Sequence, residues 1–262
     1  MTSVPDILAR IVSRKREELA ADGVPLAELE RWARLQQPER RDFRAALTAR
    51  TPAVIAEIKK ASPSQGVLSA DFDPVRQARA CEQGGASALS VLTDAAFFQG
   101  SLEHLAAARE ATSLPVLRKD FTIDPYHVVE AAAHGADAIL LIVAILTESE
   151  IRDYAALASD FGMAALVEVH DDAELDTALA AGASILGVNN RDLHTFQVTL
   201  ETSLRLAARI PPGVLKVSES GIHSAADVRR LAEAGYQAFL VGEHLMKSGD
   251  ATASLHALVG SA

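Results

Sequence analysis

The chain has 262 residues, 49% of them hydrophobic and 23% charged, enough for a large buried core and unlike the composition of a disordered protein. A net charge of −10 argues against nucleic acid as a partner, because phosphate backbones call for clustered Lys and Arg. Lone Cys81 leaves no internal disulfide and no cysteine-based zinc cluster, the habit of a cytoplasmic protein.

From the N-terminus, Arg10, Arg14, Lys15 and Arg16 interrupt what would be the apolar core of a signal peptide. Residues 3–20, "SVPDILARIVSRKREELA", have helical period. Ser3 and Asp6 resemble a capping box, Pro5 suits the first turn, and Ile7, Leu8, Ile11, Val12 and Leu19 form one stripe. A second helical patch, "PLAELERWARL", follows. Residues 1–50 therefore read as a helical extension of a single domain spanning 1–262.

From residue 53 the chain alternates. Short apolar runs begin near Ala53, Ser87, Pro115, Asp137, Ala164, Ser184, Val214 and Gln237, separated by Ala-, Leu- and Glu-rich stretches of helical period. Several helical stretches end in Gly just before the next run, as in "EQGGASALSVL" and "AAHGADAILLI". Eight such cycles with near-continuous apolar strands predict an α/β fold, a closed parallel (β/α)8 TIM barrel. No dinucleotide-binding or P-loop motif favours an open doubly wound sheet. The run "DAILLIVAIL" is too short to span a membrane, and the eight His residues show no metal-ligand pair, so no metal or other cofactor is implied.

The strands finish in charge. The first ends in Glu57 and Lys59, the third in Arg118, Lys119 and Asp120, and the fifth carries Glu168. The sixth carries Asn189, Asn190 and Arg191, the seventh ends in Glu219, Ser220 and Gly221, and the eighth in Gly242 and Glu243. Polar residues are nearly absent from the other ends. Because strand side chains alternate, Ile55, Glu57 and Lys59 share one face and Val54, Ala56 and Ile58 the other. The wholly apolar face suits helix packing, which turns Glu57 and Lys59 into the barrel mouth, where such folds keep their active sites. Lysines are few, at 15, 59, 60, 119, 216 and 247. A rim of structural ion pairs would explain any one of these charges, but burying the whole set without function would be costly.

Barrels often bind phosphate after their last two strands. "SESGI" and "VGEHLM" fit: Ser220 offers a hydroxyl, and Gly221 and Gly242 allow close backbone approach. Glu243 suits a dianion only if its amide, not its carboxylate, faces the ligand.

These segments together resemble indole-3-glycerol phosphate synthases almost end to end. The resemblance is carried by "ILARIVSRKREEL", "AEIKKASPSQG", "DFDP", "LSVLTDAAFFQGS", "PVLRKDFTIDPYHVVEA", "LVEVHDDAEL", "GVNNRDLHTFQVTLETS", "VSESGI" and "FLVGEHLM". It implies conversion of 1-(2-carboxyphenylamino)-1-deoxyribulose 5-phosphate to indole-3-glycerol phosphate, CO2 and water. It places the general acid at Lys119, the partner of the substrate carboxylate at Lys59 and the dehydration step at Glu168. Glu57 and Asn189 orient these groups, and Glu219 completes the catalytic set. Phe98 and Phe121 would wall the aromatic half, with Ser62 and Arg191 completing the substrate-binding residues. The N-terminal helix would pack over the mouth, its stripe lining a lid. Pro63 and Ser64 would fold over the substrate, and Gln65–Gly66 would make that loop mobile. No obligate protein partner is implied, and a barrel with polar helix faces suits a monomer or a dimer.

Two rivals carry different expectations. A barrel such as phosphoribosylanthranilate isomerase relies on a paired Cys and Asp, yet Cys81 lies in helical "QARACEQ", away from the mouth. A barrel that merely binds a phosphosugar would not demand Lys59, Lys119 and Glu168 together.

Overall fold

β-Branched and apolar residues on both faces make each short run a strand buried from two sides, and every strand begins at the expected residue or one later. A computed structural model describes residues 5–21, 23–63, 65–68 and 71–260. Its barrel strands are β1 (Ala53–Ile58), β2 (Ala88–Leu92), β3 (Val116–Lys119), β4 (Ala138–Ile142), β5 (Ala164–Val169), β6 (Ile185–Asn189), β7 (Leu215–Glu219) and β8 (Ala238–Val241). Neighbours pair in parallel and β1 also pairs with β8, so the sheet closes into the expected (β/α)8 barrel.

Helices α1 (Asp6–Ala20), α2 (Leu26–Gln36) and α3 (Phe43–Thr48) precede β1. The strands alternate with α4 (Pro74–Gln83), α5 (Ala95–Phe98), α6 (Leu102–Ala111), α7 (Pro125–Ala133), α8 (Glu148–Asp160), α9 (Asp172–Ala180), α10 (Glu201–Ala207), α11 (Ala225–Glu233), α12 (Glu243–Lys247) and α13 (Ala251–Val259). Short α5 and α12 are extra turns ahead of α6 and α13. Among the described residues, no helix is long and apolar enough to cross a membrane. Gly85 and Gly135 adopt φ +85° just past α4 and α7, the left-handed stop that a side chain would strain. In "DFDP", the Asp73 carboxylate accepts the Val75 and Arg76 amides while Pro74 opens α4.

The alternation along β1 sorts as expected. Val54, Ala56 and Ile58 pack outward against helix residues such as Ala78 and Cys81. Ala53 and Ile55 join an inner core with Ala88, Leu117, Leu166, Ile185 and Val217. Phe43 and Leu47 of α3 belong to this inner core, as do Leu8 and Ile11 of α1.

The N-terminal extension divides. Leu8 and Ile11 of α1 lie at the mouth, whereas α2 packs against α7 and α3 contacts β1 and β2. Arg44 of α3 donates to the carbonyls of Ser184 and Gly213, just ahead of β6 and β7, so α3 covers the end opposite the mouth. Pro5 is the N-cap of α1 rather than part of its first turn. Ser3, the other half of the expected capping box, lies outside the described residues, as does Ser64. The loop after β1 carries a small antiparallel ribbon, Ala61–Ser62 with Gly66–Val67. Its Gln65 amide reaches across to Glu243 Oε1 at 2.6 Å.

Candidate active site

Strand parity and barrel closure bring the strand tips to one cavity of about 370 Å³. It is lined by Glu57, Lys59, Ser62, Phe98, Lys119, Phe121, Glu168, Asn189, Arg191, Glu219, Ser220, Gly221, Gly242 and Glu243, so the expected catalytic and substrate-binding residues meet there, whereas the strand-tip residues Arg118 and Asn190 do not. Register explains why: Leu92 lies beside Lys119, Ile142 beside Glu168, and Glu219 beside both Asn189 and Leu240. Leu8 and Ile11 of α1 join the lining, as the lid reading expected.

At the centre stands Lys119. Its ammonium lies 2.8 Å from Glu168 Oε2 and 3.4 Å from Glu219 Oε2. Burial works to depress its pKa, but Glu168, Glu219 and Glu57 outweigh burial and hold it above the usual lysine range. The net effect is a firmly charged ammonium. The two carboxyls beside it are driven apart. Burial would raise Glu168, yet Lys119 and His170 hold it well below the usual carboxylate range. Glu219 is pushed up to about 8 by burial, with Glu168 and Glu57 adding to the rise against the pull of Lys119. Beside one lysine, Glu168 is thus held toward its ionised form and Glu219 toward its protonated one, the division by which paired acids take different roles.

The Lys59 ammonium meets Glu57 Oε1 at 3.1 Å. Two glycines make room for these carboxylates. A Cβ on Gly242 would fall 2.5 Å from Glu57 Oε2, and one on Gly187 would fall 2.1 Å from Glu219 Oε1. Gly242 thus has a steric duty toward Glu57 that its reading as a ligand-side glycine did not include.

Around β7, Ser220 and Gly221 both take positive φ, +67° and +76°. For Ser220 this is an uncommon conformation of the kind that clusters at functional sites. The Ser220 hydroxyl and the Arg191 amide both donate to Asn189 Oδ1, at 2.9 and 3.1 Å. The Glu243 carboxylate accepts from Gln65, Lys247 and Arg191. Among other strand-tip residues, Asn190 bonds Ser218, Ser203 and the Ser220 carbonyl, tying the loop together. Arg118 faces outward to Glu130, Asp120 and the His127 carbonyl.

Three features went unread in the sequence. His170 stands between Glu174, 2.9 Å from Nδ1, and Glu168, 3.4 Å from Nε2. Burial opposes its charging, but the two glutamates raise its pKa to about 10. It shares strand parity with Glu168, a usable signal. Lys15 of α1 is buried with Asp94 and Asp120, a pairing no local pattern announces. The third is Gly187. Cys81, by contrast, lies fully buried on α4, where burial pushes its thiol up to about 12, so it supplies no acid at the mouth.

The closed barrel and a cavity of opposed lysines and carboxyls define an acid–base enzyme of the (β/α)8 class. A family model described as indole-3-glycerol phosphate synthase matches residues 8–258. The indole-3-glycerol phosphate synthase of Desulfotalea psychrophila is 52% identical over 250 residues, covering 94% of this chain and 95% of its own. That of Aromatoleum aromaticum is 51% identical over 260 residues, covering 97% and 99%. Among solved structures, a tryptophan synthase α-subunit variant from Pyrococcus furiosus superposes with TM-score 0.61 at 15% identity, covering 80% of this chain and 98% of that one, a likeness of fold alone. The chain belongs to the indole-3-glycerol phosphate synthase family, carboxy-lyases of tryptophan biosynthesis that act on a small phosphorylated substrate.

Proposed function

We propose that this chain closes the indole ring of 1-(2-carboxyphenylamino)-1-deoxyribulose 5-phosphate with Lys119 as the general acid. The observation that carries the assignment is Lys119 held between Glu168 and Glu219 at the cavity floor. The ring carbon bearing the carboxylate attacks the ribulose ketone while Lys119 protonates the carbonyl oxygen. A positioned donor contributes roughly 10²–10⁴-fold, or about 3–5 kcal/mol of barrier. Lys59, held by Glu57, pairs with the substrate carboxylate and keeps the ring over the ketone, so that closure proceeds from a fixed approach. Loss of CO2 leaves the ring electrons in place. Glu219 in its neutral form then gives its proton to the new hydroxyl, which departs as water, while Glu168, ionised beside Lys119, takes the proton lost from the carbon next to the ring nitrogen as the double bond forms.

Phe98 and Phe121, with ring centroids 6.0 Å apart, form the wall for the aryl half. Ser220, Gly221 and the amides of Gly242 and Glu243 take the phosphate, assisted by Ser62 and Arg191. The engagement of the Glu243 carboxylate by Arg191, Gln65 and Lys247 supports that reading, since it occupies the negative charge elsewhere. Asn189 orients the sugar hydroxyls. We further propose a single domain with residues 1–50 as its extension, supported by Leu8, Ile11, Phe43 and Leu47 sharing the inner core. We also propose that it acts in the cytoplasm, in keeping with its lone free cysteine, and that it needs no obligate protein partner.

The test is turnover of the carboxyphenylamino-ribulose phosphate by purified protein, followed by indole absorbance. Release of indole-3-glycerol phosphate with one CO2 supports the assignment. Isomerisation without indole, or binding without turnover, overturns it.

A further inference from the structure

Lysine is almost never fully buried unless paired, and Lys15 is 6% exposed at its side chain. It follows Leu8 and Ile11 along the buried stripe of α1, so the face that roofs the cavity ends in an ammonium. Its Nζ lies 2.9 Å from Asp120 Oδ1, 3.2 Å from Asp94 Oδ2 and 3.3 Å from Glu18 Oε2. Burial would lower its pKa, but these carboxylates raise it, so the charge is retained.

The two aspartates belong to different loops. Asp94 follows β2, and its Oδ1 accepts the Phe97 amide at 2.7 Å as the N-cap of α5, the turn that carries Phe98. Asp120 follows Lys119, and its Oδ1 accepts the Phe121 amide at 2.8 Å. One ammonium thus ties the roof helix to both halves of the aromatic wall. The two ties are unequal. Asp120 also has Arg118 and Thr93 as partners. Among the described residues Asp94 Oδ2 has no cation but Lys15, and the side chain is wholly buried. Without Lys15 the Asp94 carboxylate would be a stranded buried charge, a costly state. Its relief is to swing outward, which gives up the Phe97 cap and loosens Phe98.

We infer that Lys15 is a positioning residue that sets the aryl subsite, fixing the gap between the α1 roof and the Phe98–Phe121 wall and so favouring a substrate with an aromatic ring. This rests on the function proposed above, and the test separates the two. Full-length Lys15→Met and Lys15→Arg are compared with the parent for turnover and for dissociation constants of two ligands, indole-3-glycerol phosphate and ribulose 5-phosphate, which lacks the ring. Lys15→Met is expected to weaken the ring-bearing ligand and raise KM about tenfold, leaving kcat and ribulose 5-phosphate affinity within about twofold, and Lys15→Arg to restore most of the loss. Parallel weakening of both ligands, or no change in either, overturns the inference while parental turnover still upholds the function. Failure of the parent to turn over overturns the function itself. If Lys15→Met does not fold, Asp94→Ala removes clasp and cap without stranding a charge. It should weaken only the ring-bearing ligand, about fivefold, and equal losses would again overturn the inference.

Discussion

Both ends of the barrel bury charge, but they use it differently. At the end away from the mouth, arginines of the α2–α3 segment donate mainly to main-chain carbonyls. Arg40 bonds those of Phe161 and Ala132, Arg41 those of Arg109 and Leu114, and Arg44 those of Ser184 and Gly213. Asp137, wholly buried, accepts the amides of Arg41 and Val116 and pairs with Arg109 at 3.2 Å. These charges close helix ends and fasten the extension. At the mouth the partners are side chains that titrate, and Lys119, Glu168 and Glu219 face a cavity with proton affinities drawn apart. Buried charge alone does not mark chemistry. The distinction lies in whether its partner is a fixed carbonyl or another group able to exchange a proton.

That contrast can be broken from either end. The largest effect is expected at Lys119→Ala, which should lower turnover by roughly 10²–10⁴-fold with substrate affinity within about tenfold. Near-normal rates in stopped-flow assays would remove the proposed acid. Next is Asp137→Asn, which should cost the fold about 3–5 kcal/mol in urea titrations because it leaves Arg109 without its carboxylate. Its kcat per folded molecule should be unchanged, and a kcat defect would mean that the two ends are coupled.

Gly187→Ala probes the seat of Glu219. The added methyl would meet Glu219 Oε1 at 2.1 Å and must displace it, at about 1–3 kcal/mol of overpacking. The accompanying loss of kcat should exceed any rise in KM, whereas unaltered kinetics would show the carboxyl to be dispensable.

The smallest effect is a pH limb. As pH rises through about 8, Glu219 ionises and tightens the hold of Lys119 on its proton, so kcat should fall. Glu219→Gln should lack that limb. In stability the same group, raised in the folded state, contributes fully below the ordinary glutamate range, and its contribution is lost as pH climbs toward about 8. The pH dependence of Tm should therefore flatten over that interval in the Gln variant.

Much of this was legible before any coordinates. Period-two and period-3.6 patterns placed the starts of all eight strands within a residue, and parity along "VIAEIKK" assigned Glu57 and Lys59 to the interior. The expectation that strand starts carry almost no charge needs amendment, since Asp137 immediately precedes β4 and arginines of the extension crowd that end. The N-terminal helix lies over the mouth as expected, but where α2 and α3 pack had no signal in their sequence. An amphipathic stripe tells that a helix buries a face, not against which surface. The loop with Gln65–Gly66 carries a short ribbon and bonds across to Glu243 through Gln65, contacts that no local pattern announced.

By itself the sequence determined which residues form strands, which face of each strand turns inward and which chemical groups reach the mouth, because backbone geometry repeats locally. Only the tertiary structure decided how those groups act on one another. The Lys15 clasp, the room left by Gly187 and Gly242, and the opposed pKa shifts of Glu168 and Glu219 depend on distances of a few ångströms between residues far apart in the chain, and only closure of the barrel sets those distances.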